Sequence, residues 1–256
     1  MIDERTLCGY PIFFQKNSYI YPPKVKDYLE NKGKFLTYLR ILEIDQIDID
    51  KIFKKEIEEG IKTPNPYYFM YKNYCLNEEI KKITLEAFEF FLHEPVTFIE
   101  DRAIILVGNL EEVITNAKSS DDFCIIDEKN FPFFQNLIRI SVGDKPLEIK
   151  EVDENEDPRV TRLKKRFKKY EKEVAEIKAR KGEALEFSTC LTAICCMGIG
   201  LNPLNIGELS YGAVSALMGM YQRREDYGIY SMGLMFGTID GKKNKIESWI
   251  RNSKDN

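Results

Sequence analysis

Residues 77–107 read NEEIKKITLEAFEFFLHEPVTFIEDRAIILV, and a change of period inside this stretch decides the fold class. Its first part carries apolar residues at helical spacing, namely Ile80, Ile83, Ala87, Phe90 and Phe91. Asn77 is a typical helix cap, and the acids after it suit the positive end of a helix. Two runs of β-branched and other apolar residues, 96–99 and 103–107, then flank Glu100-Asp101-Arg102 and predict an antiparallel hairpin. A helix followed directly by a hairpin predicts an α+β fold.

The residues on either side continue this alternation of short strands and helices. Residues 11–14 and 18–21 are rich in aromatic side chains and flank Lys16-Asn17, which predicts another hairpin. Pro22-Pro23 ends it and suits the first turn of the next helix. The remaining predictions are helices over 25–29, 35–42, from Asp45 or Asp48 to a stop at Gly60, 110–117 and 130–140, and a strand over 123–126.

The sequence from residue 187 onward is predicted to be helical. Residues 187–197 are apolar on every side, so we expect a buried helix. Ser210 is the predicted cap of a helix that runs through Arg224, and residues 228–237 predict one more short helix.

A last apolar patch follows these helices. It consists of Ile246, Trp249 and Ile250. Tryptophan has a large apolar area that is costly to leave in water. We therefore expect Trp249 to anchor this patch onto the helical part.

A change of composition separates two parts of the chain. Residues 148–157 hold six acidic residues and one lysine, which is typical of an exposed linker. We predict an N-terminal α+β domain over 1–147, an acidic linker over 148–157 and a C-terminal helical domain over 158–256. The fold as a whole is predicted to be α+β and predominantly α-helical.

One long, charged helix is predicted directly after the linker. Asp157-Pro158 is a cap followed by an N1 proline, and Gly182 marks the helix end. Residues 158–181 contain eleven Lys or Arg against three Glu, a net charge of +8. The apolar residues form a heptad seam of Val160, Leu163, Phe167, Tyr170, Val174 and Ile177.

The outer face of this helix is the predicted partner-binding surface, formed by Arg162, Lys165, Arg166 and Lys169. An acidic partner would use these charges for association rate and specificity. A solvated helix neutralised by the acidic linker is the competing interpretation. Nucleic acid is disfavoured as a partner, because the seam leaves no exposed aromatic side chain for base stacking. The chain as a whole also carries a net charge of −4, where nucleic-acid binders are usually basic.

The composition excludes several classes of enzyme and does not point to any particular enzymatic activity. His93 is the only histidine, so one chain cannot build a two-histidine metal site, and its position predicts a polar side chain at a helix end. The glycines of residues 198–200 follow an apolar helical run and precede Pro203, which does not fit a dinucleotide loop. The sequence has no Walker-type loop and no G-x-S-x-G elbow. We predict no catalytic, metal-binding or cofactor-binding residue, although abundant carboxylates leave a two-acid hydrolase open.

The cysteines and the hydropathy pattern indicate in which cellular compartment the protein is located. None of the six cysteines forms a C-x-x-C pair, and the adjacent Cys195 and Cys196 lie in an apolar run, which predicts small buried side chains in a reducing environment. The first ten residues lack the apolar run of a signal peptide. The longest charge-free stretch, 187–207, is too interrupted by polar residues to span a bilayer. We therefore expect an intracellular protein without a membrane partner.

Two stretches give the chain a resemblance to a known group of proteins. The first is Ile20-Tyr21-Pro22-Pro23-Lys24-Val25-Lys26-Asp27, which leads into Phe35-Leu36-Thr37-Tyr38-Leu39. The second contains Asn202, Asn205, Leu209-Ser210-Tyr211, Tyr221-Gln222-Arg223 and Tyr227, and it finishes in Ser248-Trp249-Ile250-Arg251-Asn252. The Tyr-Pro-Pro-x-Val segment and the Trp-Ile-Arg-Asn ending are its most specific parts. The chain departs from the group over 233–243, where a stretch rich in glycine or alanine is altered.

These stretches resemble proteins encoded in tail-morphogenesis clusters of tailed bacteriophages and prophages of low-GC Gram-positive bacteria, many of which are regarded as tail assembly chaperones. The resemblance implies a non-enzymatic protein of the host cytoplasm that binds the tape-measure protein and helps to recruit tail-tube subunits. Self-association is a further option, and the group has no catalytic motif to carry over. The alternative function is a structural component of the phage particle, such as a connector or baseplate protein. A second alternative is an uncharacterised hydrolase or nucleotide enzyme.

Overall fold

The computed structural model describes residues 7–108, 123–144, 146, 186–236 and 238. Over these ranges the chain has the predicted fold class, an α+β fold that is mainly helical. It contains a two-stranded and a three-stranded antiparallel sheet. A large hydrophobic core joins residues of both sheets to the helices around them.

The first sheet is the hairpin predicted around Lys16-Asn17. Strand β1 (Ile12–Gln15) pairs with β2 (Ser18–Ile20), and Ile12 lies opposite Ile20. Lys16 has φ = 55°, the left-handed conformation that tight hairpin turns use. Ile12 and Ile20 are buried, so this side of the hairpin faces the core.

The second sheet confirms the other predicted hairpin and the strand beside it. β3 (Val96–Ile99) pairs with β4 (Ile104–Val107), and β4 pairs with β5 (Cys124–Ile126). A 3-10 turn, Glu100–Arg102, connects the first two strands, followed by Ala103 at φ = 48°. The polar Glu-Asp-Arg run of the sequence is therefore the hairpin turn.

Four short helices follow the first hairpin. They are α1 (Val25–Glu30), α2 (Lys32–Leu42), α3 (Gln46–Ile52) and α4 (Lys54–Glu58). The Asp45 side chain accepts a hydrogen bond from the Asp48 N–H and caps α3. The single helix predicted from here to Gly60 is wrong, because the chain breaks at Phe53. No residue of α4 is buried, so no core contact holds it in line with α3.

The next helix was not predicted from the sequence. α5 (Pro66–Met70) is capped by the side chain of Asn65 and runs into a π-type turn, Tyr71–Cys75. The Tyr67 hydroxyl donates to the Ala103 carbonyl at 2.7 Å. This bond ties α5 to the turn of the second sheet.

The predicted helix beginning at Asn77 is confirmed. α6 (Glu78–Leu92) begins where the Asn77 side chain accepts from the Glu79 N–H, and it ends at His93 with φ = 55°. The His93 ring stacks on Tyr21, with ring centroids 4.2 Å apart. The predicted position of His93 at a helix end is therefore also confirmed.

Helix α7 (Phe131–Ser141) confirms the helix predicted over 130–140. Its Gln135 side chain is buried and donates from Nε2 to the carbonyls of Leu42 and Ile44, both at 2.8 Å. These two bonds hold the end of α2 against α7 in the core.

The last described helices are α8 (Phe187–Cys196) and α9 (Tyr211–Met235). Ser210 caps α9 as predicted, because its hydroxyl accepts from the Ala213 N–H at 3.2 Å. The two separate helices predicted here are wrong, since α9 is continuous over 25 residues. A glycine such as Gly228 inside a helix costs only about 1 kcal/mol and is tolerated.

Helix α8 is not buried on every side, so that prediction is also wrong. Only Ile194 is buried, where it packs with Val214 of α9. The Thr192 hydroxyl donates to the carbonyl of Ser188 on the exposed side. α8 therefore lies on the surface with one face against α9.

Several predictions fall outside the described residues. They are the helix over 110–117, the acidic linker over 148–157, the charged helix over 158–181 with Arg162, Lys165, Arg166 and Lys169, and the patch of Ile246, Trp249 and Ile250. The division into two domains stays a prediction.

Candidate functional site

The two stretches that carry the family resemblance meet in the structure. The Tyr211 N–H donates to the Pro23 carbonyl at 2.7 Å. The Val25 N–H donates to the Leu209 carbonyl at 2.8 Å. Backbone bonds thus fix the turn after the first hairpin to the start of α9.

An ion cluster lies beside these backbone bonds. The Glu208 carboxylate accepts from Lys24 Nζ at 2.6 Å and from Lys26 Nζ at 2.7 Å. Hydrogen bonds from these two ammonium groups lower the pKa of Glu208 to about 2, and the bond to Glu208 raises the pKa of Lys26. All three side chains are exposed, so the cluster adds little to stability by itself.

Aromatic rings and a close backbone contact hold the first turns of α9 in place. The Tyr211 ring stacks on Phe187 at 4.6 Å between centroids and lies 5.3 Å from Tyr28. Gly143, just after α7, has φ = 84°, and a Cβ on it would lie 2.8 Å from the Cα of Gly212. The backbones of Gly143 and Gly212 are therefore in direct contact.

Apolar side chains hold α8 along the first part of α9. Val25, Ile194, Ile206 and Val214 form a buried cluster, with Met218 packed at its edge. At 1.5 Å per residue, α8 is about 15 Å long and α9 about 37 Å long. Helix α8 is thus too short to cover the second half of α9.

The apolar end of α9, residues 227–236, has no charged residue and leaves large side chains exposed. The exposed fractions are 61% for Ile229, 53% for Met232, 83% for Met235 and 79% for Phe236. Ile229, Met232 and Phe236 follow steps of three and four, so they form one line along the helix. Contiguous apolar surface of this kind marks interaction sites on soluble proteins.

The structure does not place the four basic residues predicted to bind a partner, Arg162, Lys165, Arg166 and Lys169, because they lie outside the described residues. The apolar end of α9 was not predicted as a site. Its signal was present in the sequence, as a helical stretch from Tyr227 to Phe236 that lacks any charge. One side of this stretch is covered, because Tyr230 is buried, whereas Ile229 and Met232 leave the other side exposed.

A cleft of about 530 Å³ opens between α2, α3 and α7, lined by Leu36, Leu39, Arg40, Glu43, Ile44, Asp48 and Arg139. Glu43 lies 3.7 Å from the Arg139 guanidinium, and Asp48 lies 4.0 Å from Lys51 Nζ. Each of the two carboxylates thus has a cationic side chain nearby.

The cysteine side chains differ in their surroundings. Cys75 and Cys124 are buried, whereas Cys196 is exposed and Cys195 is half-buried, so the burial predicted for that adjacent pair is wrong for Cys196. Burial raises the pKa of the Cys75 thiol, and it raises the pKa of Cys124 to about 11. These two thiols stay protonated near neutral pH and are weak nucleophiles.

The imidazole of His93 is also in a structural position. Partial burial against Tyr21 and the end of α6 lowers its pKa. Across the described ranges, His, Cys, Asp and Glu side chains nowhere form a group of three that could hold a metal ion. In the same ranges, every helix is too short or too polar to cross a membrane.

Comparisons with protein-family models, curated proteins and solved structures give no match to this chain. A function for this chain is therefore inferred from the geometry of α9 and from the resemblance of residues 20–39 and 202–252.

Proposed function

We propose that this protein is a non-enzymatic assembly chaperone of bacteriophage tails, which acts in the host cytoplasm. Its docking surface is the apolar end of α9, and the occupant is the apolar face of a helix from a tail protein. The observation that carries the proposal is the exposure of Ile229, Met232, Met235 and Phe236 on a helix end without charge.

The chemistry of this surface suits transient binding of a helix. Methionine side chains are flexible and polarisable, and they recur on surfaces that accept more than one partner. Helix α8 already packs on the first half of α9 through the cluster around Ile194 and Val214. A partner helix placed beyond the end of α8 would continue the same helix-on-helix packing along α9.

The resemblance supplies the identity of the partners. It implies that the partners are the tape-measure protein and the subunits of the tail tube. The basic face of Arg162, Lys165, Arg166 and Lys169 belongs to the proposal as a steering surface, since charges at a rim control association rate more than affinity.

Co-purification with a tagged tape-measure or tail-tube protein tests the docking surface. The double variant Met232→Glu with Phe236→Glu places two carboxylates where the partner helix should bind. Burying unpaired charges is costly, so we expect at least about tenfold less protein to co-purify. Both positions are exposed, so thermal unfolding should change little.

Gln222→Glu is the matched control, because Gln222 is exposed on the same helix but precedes its apolar end. It adds a carboxylate without touching the proposed surface and should co-purify like the parent. Equal recovery of partner with the double variant would contradict the proposal. Mass spectrometry of purified phage particles separates a chaperone, which should be absent, from a structural component present at fixed stoichiometry.

A further inference from the structure

We propose that the helix bound at the apolar end of α9 is amphipathic and ends in a basic turn, whose Lys or Arg pairs with Glu225. This helix runs antiparallel to α9 and covers about three of its turns. The inference rests on the proposed function for the choice of surface. It adds the charge and the direction of the helix that this surface selects.

A carboxylate continues the exposed apolar line of α9. The line and this carboxylate are formed by Glu225, Ile229, Met232 and Phe236, which follow steps of four, three and four. Side chains at these steps lie along one side of a helix. Glu225 is exposed, as the three apolar side chains are. A helix that covers the apolar line and extends one turn further therefore reaches the carboxylate.

Glu225 has no cation on its own helix to pair with. The side chains three and four positions away are all uncharged, namely those of Tyr221, Gln222, Gly228 and Ile229. Across the part of the chain that the structure describes, no Lys or Arg forms an ion pair with Glu225. An apolar side chain placed over Glu225 would remove water from an unpaired charge, which is costly. A Lys or Arg of the partner avoids this cost and donates a charge-assisted hydrogen bond.

The C-terminal end of α9 favours one direction of the bound helix. The last carbonyls of a helix carry a partial negative charge, and α9 has no basic residue in its last turn to offset it. The N-terminus of the bound helix carries the opposite partial charge, so it is favoured beside Phe236. Its C-terminus then lies beside Glu225. Cations are favoured at the C-terminus of a helix, so the direction and the charge of the partner agree.

The spacing on α9 predicts a sequence pattern for the bound helix. Glu225 and Phe236 are eleven positions apart, which corresponds to about 16 Å along the helix. An antiparallel helix of about twelve residues matches this length. It would place apolar residues opposite Phe236, Met232 and Ile229, in this order, and a Lys or Arg one turn after the last of them.

A helix that ends in acidic residues fits this surface less well. It would have to pair with Arg224 rather than with Glu225. Consecutive residues of a helix are turned by about 100°, so Arg224 lies to one side of the exposed line. An acidic end would also lie over Glu225 and repel it.

Three labelled peptides test the charge and the direction. Each is an alanine-rich peptide of about eighteen residues, locked as a helix by a side-chain bridge, with the same apolar residues. The first has two lysines in its last turn, the second has them in its first turn, and the third has two glutamates in its last turn. Fluorescence anisotropy at low and high salt measures how tightly each peptide binds.

We expect the parent protein to bind the first peptide about tenfold more tightly than the third at low salt. It should bind the second peptide several-fold more weakly than the first. Both preferences should shrink at high salt, because ions screen exposed charges. Met232→Glu with Phe236→Glu should remove most of the binding of the first peptide, because this binding also needs the apolar line.

Two charge reversals on α9 form a matched pair. Glu225→Lys should invert the preference, so that the third peptide binds more tightly than the first. Asp226→Lys makes the same change in net charge, but Asp226 is turned by about 100° from Glu225. It should keep the order of the parent. Both positions are exposed, so thermal unfolding should change little.

Four results would overturn the inference. Equal binding of the first and third peptides, or no binding of either, would mean that the surface does not select a basic helix end. Tighter binding of the second peptide than of the first would give the opposite direction. Equal effects of Glu225→Lys and Asp226→Lys would mean that net charge alone acts. Binding that survives Met232→Glu with Phe236→Glu would place the peptide elsewhere.

The inference and the proposed function can fail separately. If the first peptide binds through Met232, Phe236 and Glu225 but no tail protein co-purifies, the surface selects a basic helix and the proposed function fails. If tail proteins co-purify through Met232 and Phe236 while Glu225→Lys and Asp226→Lys behave alike, the proposed function stands and the inference fails.

Discussion

Replacing Gly143 by alanine tests the contact that seats α9 on the end of α7. Gly143 follows α7, and its N–H donates to the Ile140 carbonyl at 3.0 Å. Its φ of 84° lies in the left-handed region. A Cβ there would lie 2.8 Å from the Cα of Gly212 and 2.9 Å from its carbonyl oxygen. The obstacle is backbone, which cannot rotate away as a flexible side chain would.

Two separate energetic costs determine how far Gly143→Ala lowers the free energy of unfolding. An alanine held in the left-handed conformation costs about 1–2 kcal/mol. Crowding a packed site without room costs a further 1–3 kcal/mol or so, because the neighbouring backbone must move. We therefore expect Gly143→Ala to lower the free energy of unfolding by about 2–5 kcal/mol. That is a large share of the total stability of a typical domain, about 5–15 kcal/mol.

Urea unfolding followed by far-UV circular dichroism measures this change. Gly219→Ala is the matched control, because Gly219 lies inside α9 with nothing within 4 Å of its Cβ position and no left-handed φ. It should raise the free energy of unfolding by about 0.5–1 kcal/mol through better helix propensity. A Gly143→Ala variant within about 0.5 kcal/mol of the parent would refute the close approach of the two backbones.

Two further predictions concern polar groups of the fold. Gln135→Leu removes the donor of two buried carbonyls and should lower the free energy of unfolding by about 2–3 kcal/mol in the same urea assay; a loss too small to measure would mean that those carbonyls find other donors. Glu208 has a pKa lowered to about 2 from its usual 4.5, so its contribution to stability is present above pH 4.5 and is lost as the pH falls towards 2. The difference in unfolding free energy between the parent and Glu208→Gln should therefore shrink over this interval, and a constant difference would contradict the ion cluster.

Helix boundaries were predictable wherever a local cap determines them. Asp45, Asn77 and Ser210 each accept a hydrogen bond from a backbone N–H at the start of a helix. A cap depends on two or three neighbouring residues, so sequence alone is enough. The same rule would have found α5, because Asn65-Pro66 is a cap followed by an N1 proline. Its dense aromatic residues show no helical period, which is why the helix was missed.

The extent of α9 was less predictable, because it depends on neighbours that are distant in sequence. Four consecutive charged residues, 223–226, and Gly228 interrupt the apolar pattern and favour two helices. The charged residues point to solvent, where a helix tolerates them, and the Ser231 hydroxyl bonds back to the Tyr227 carbonyl at 2.8 Å. Periodicity reports which side is apolar but does not report whether a neighbour covers it. The exposure of Ile229, Met232 and Phe236 therefore became visible only in three dimensions.

The residues that carry the family resemblance support the proposed surface rather than form it. Pro23, Val25, Leu209 and Tyr211 are joined by backbone hydrogen bonds at the start of α9, more than ten residues from its apolar end. A substitution there should act through the stability of the junction, whereas one at Met232 should act on binding alone. These residues thus hold the start of α9 in place, whereas the proposed binding depends on the exposure of its last turns. These two arguments use different residues, so the failure of one leaves the other intact.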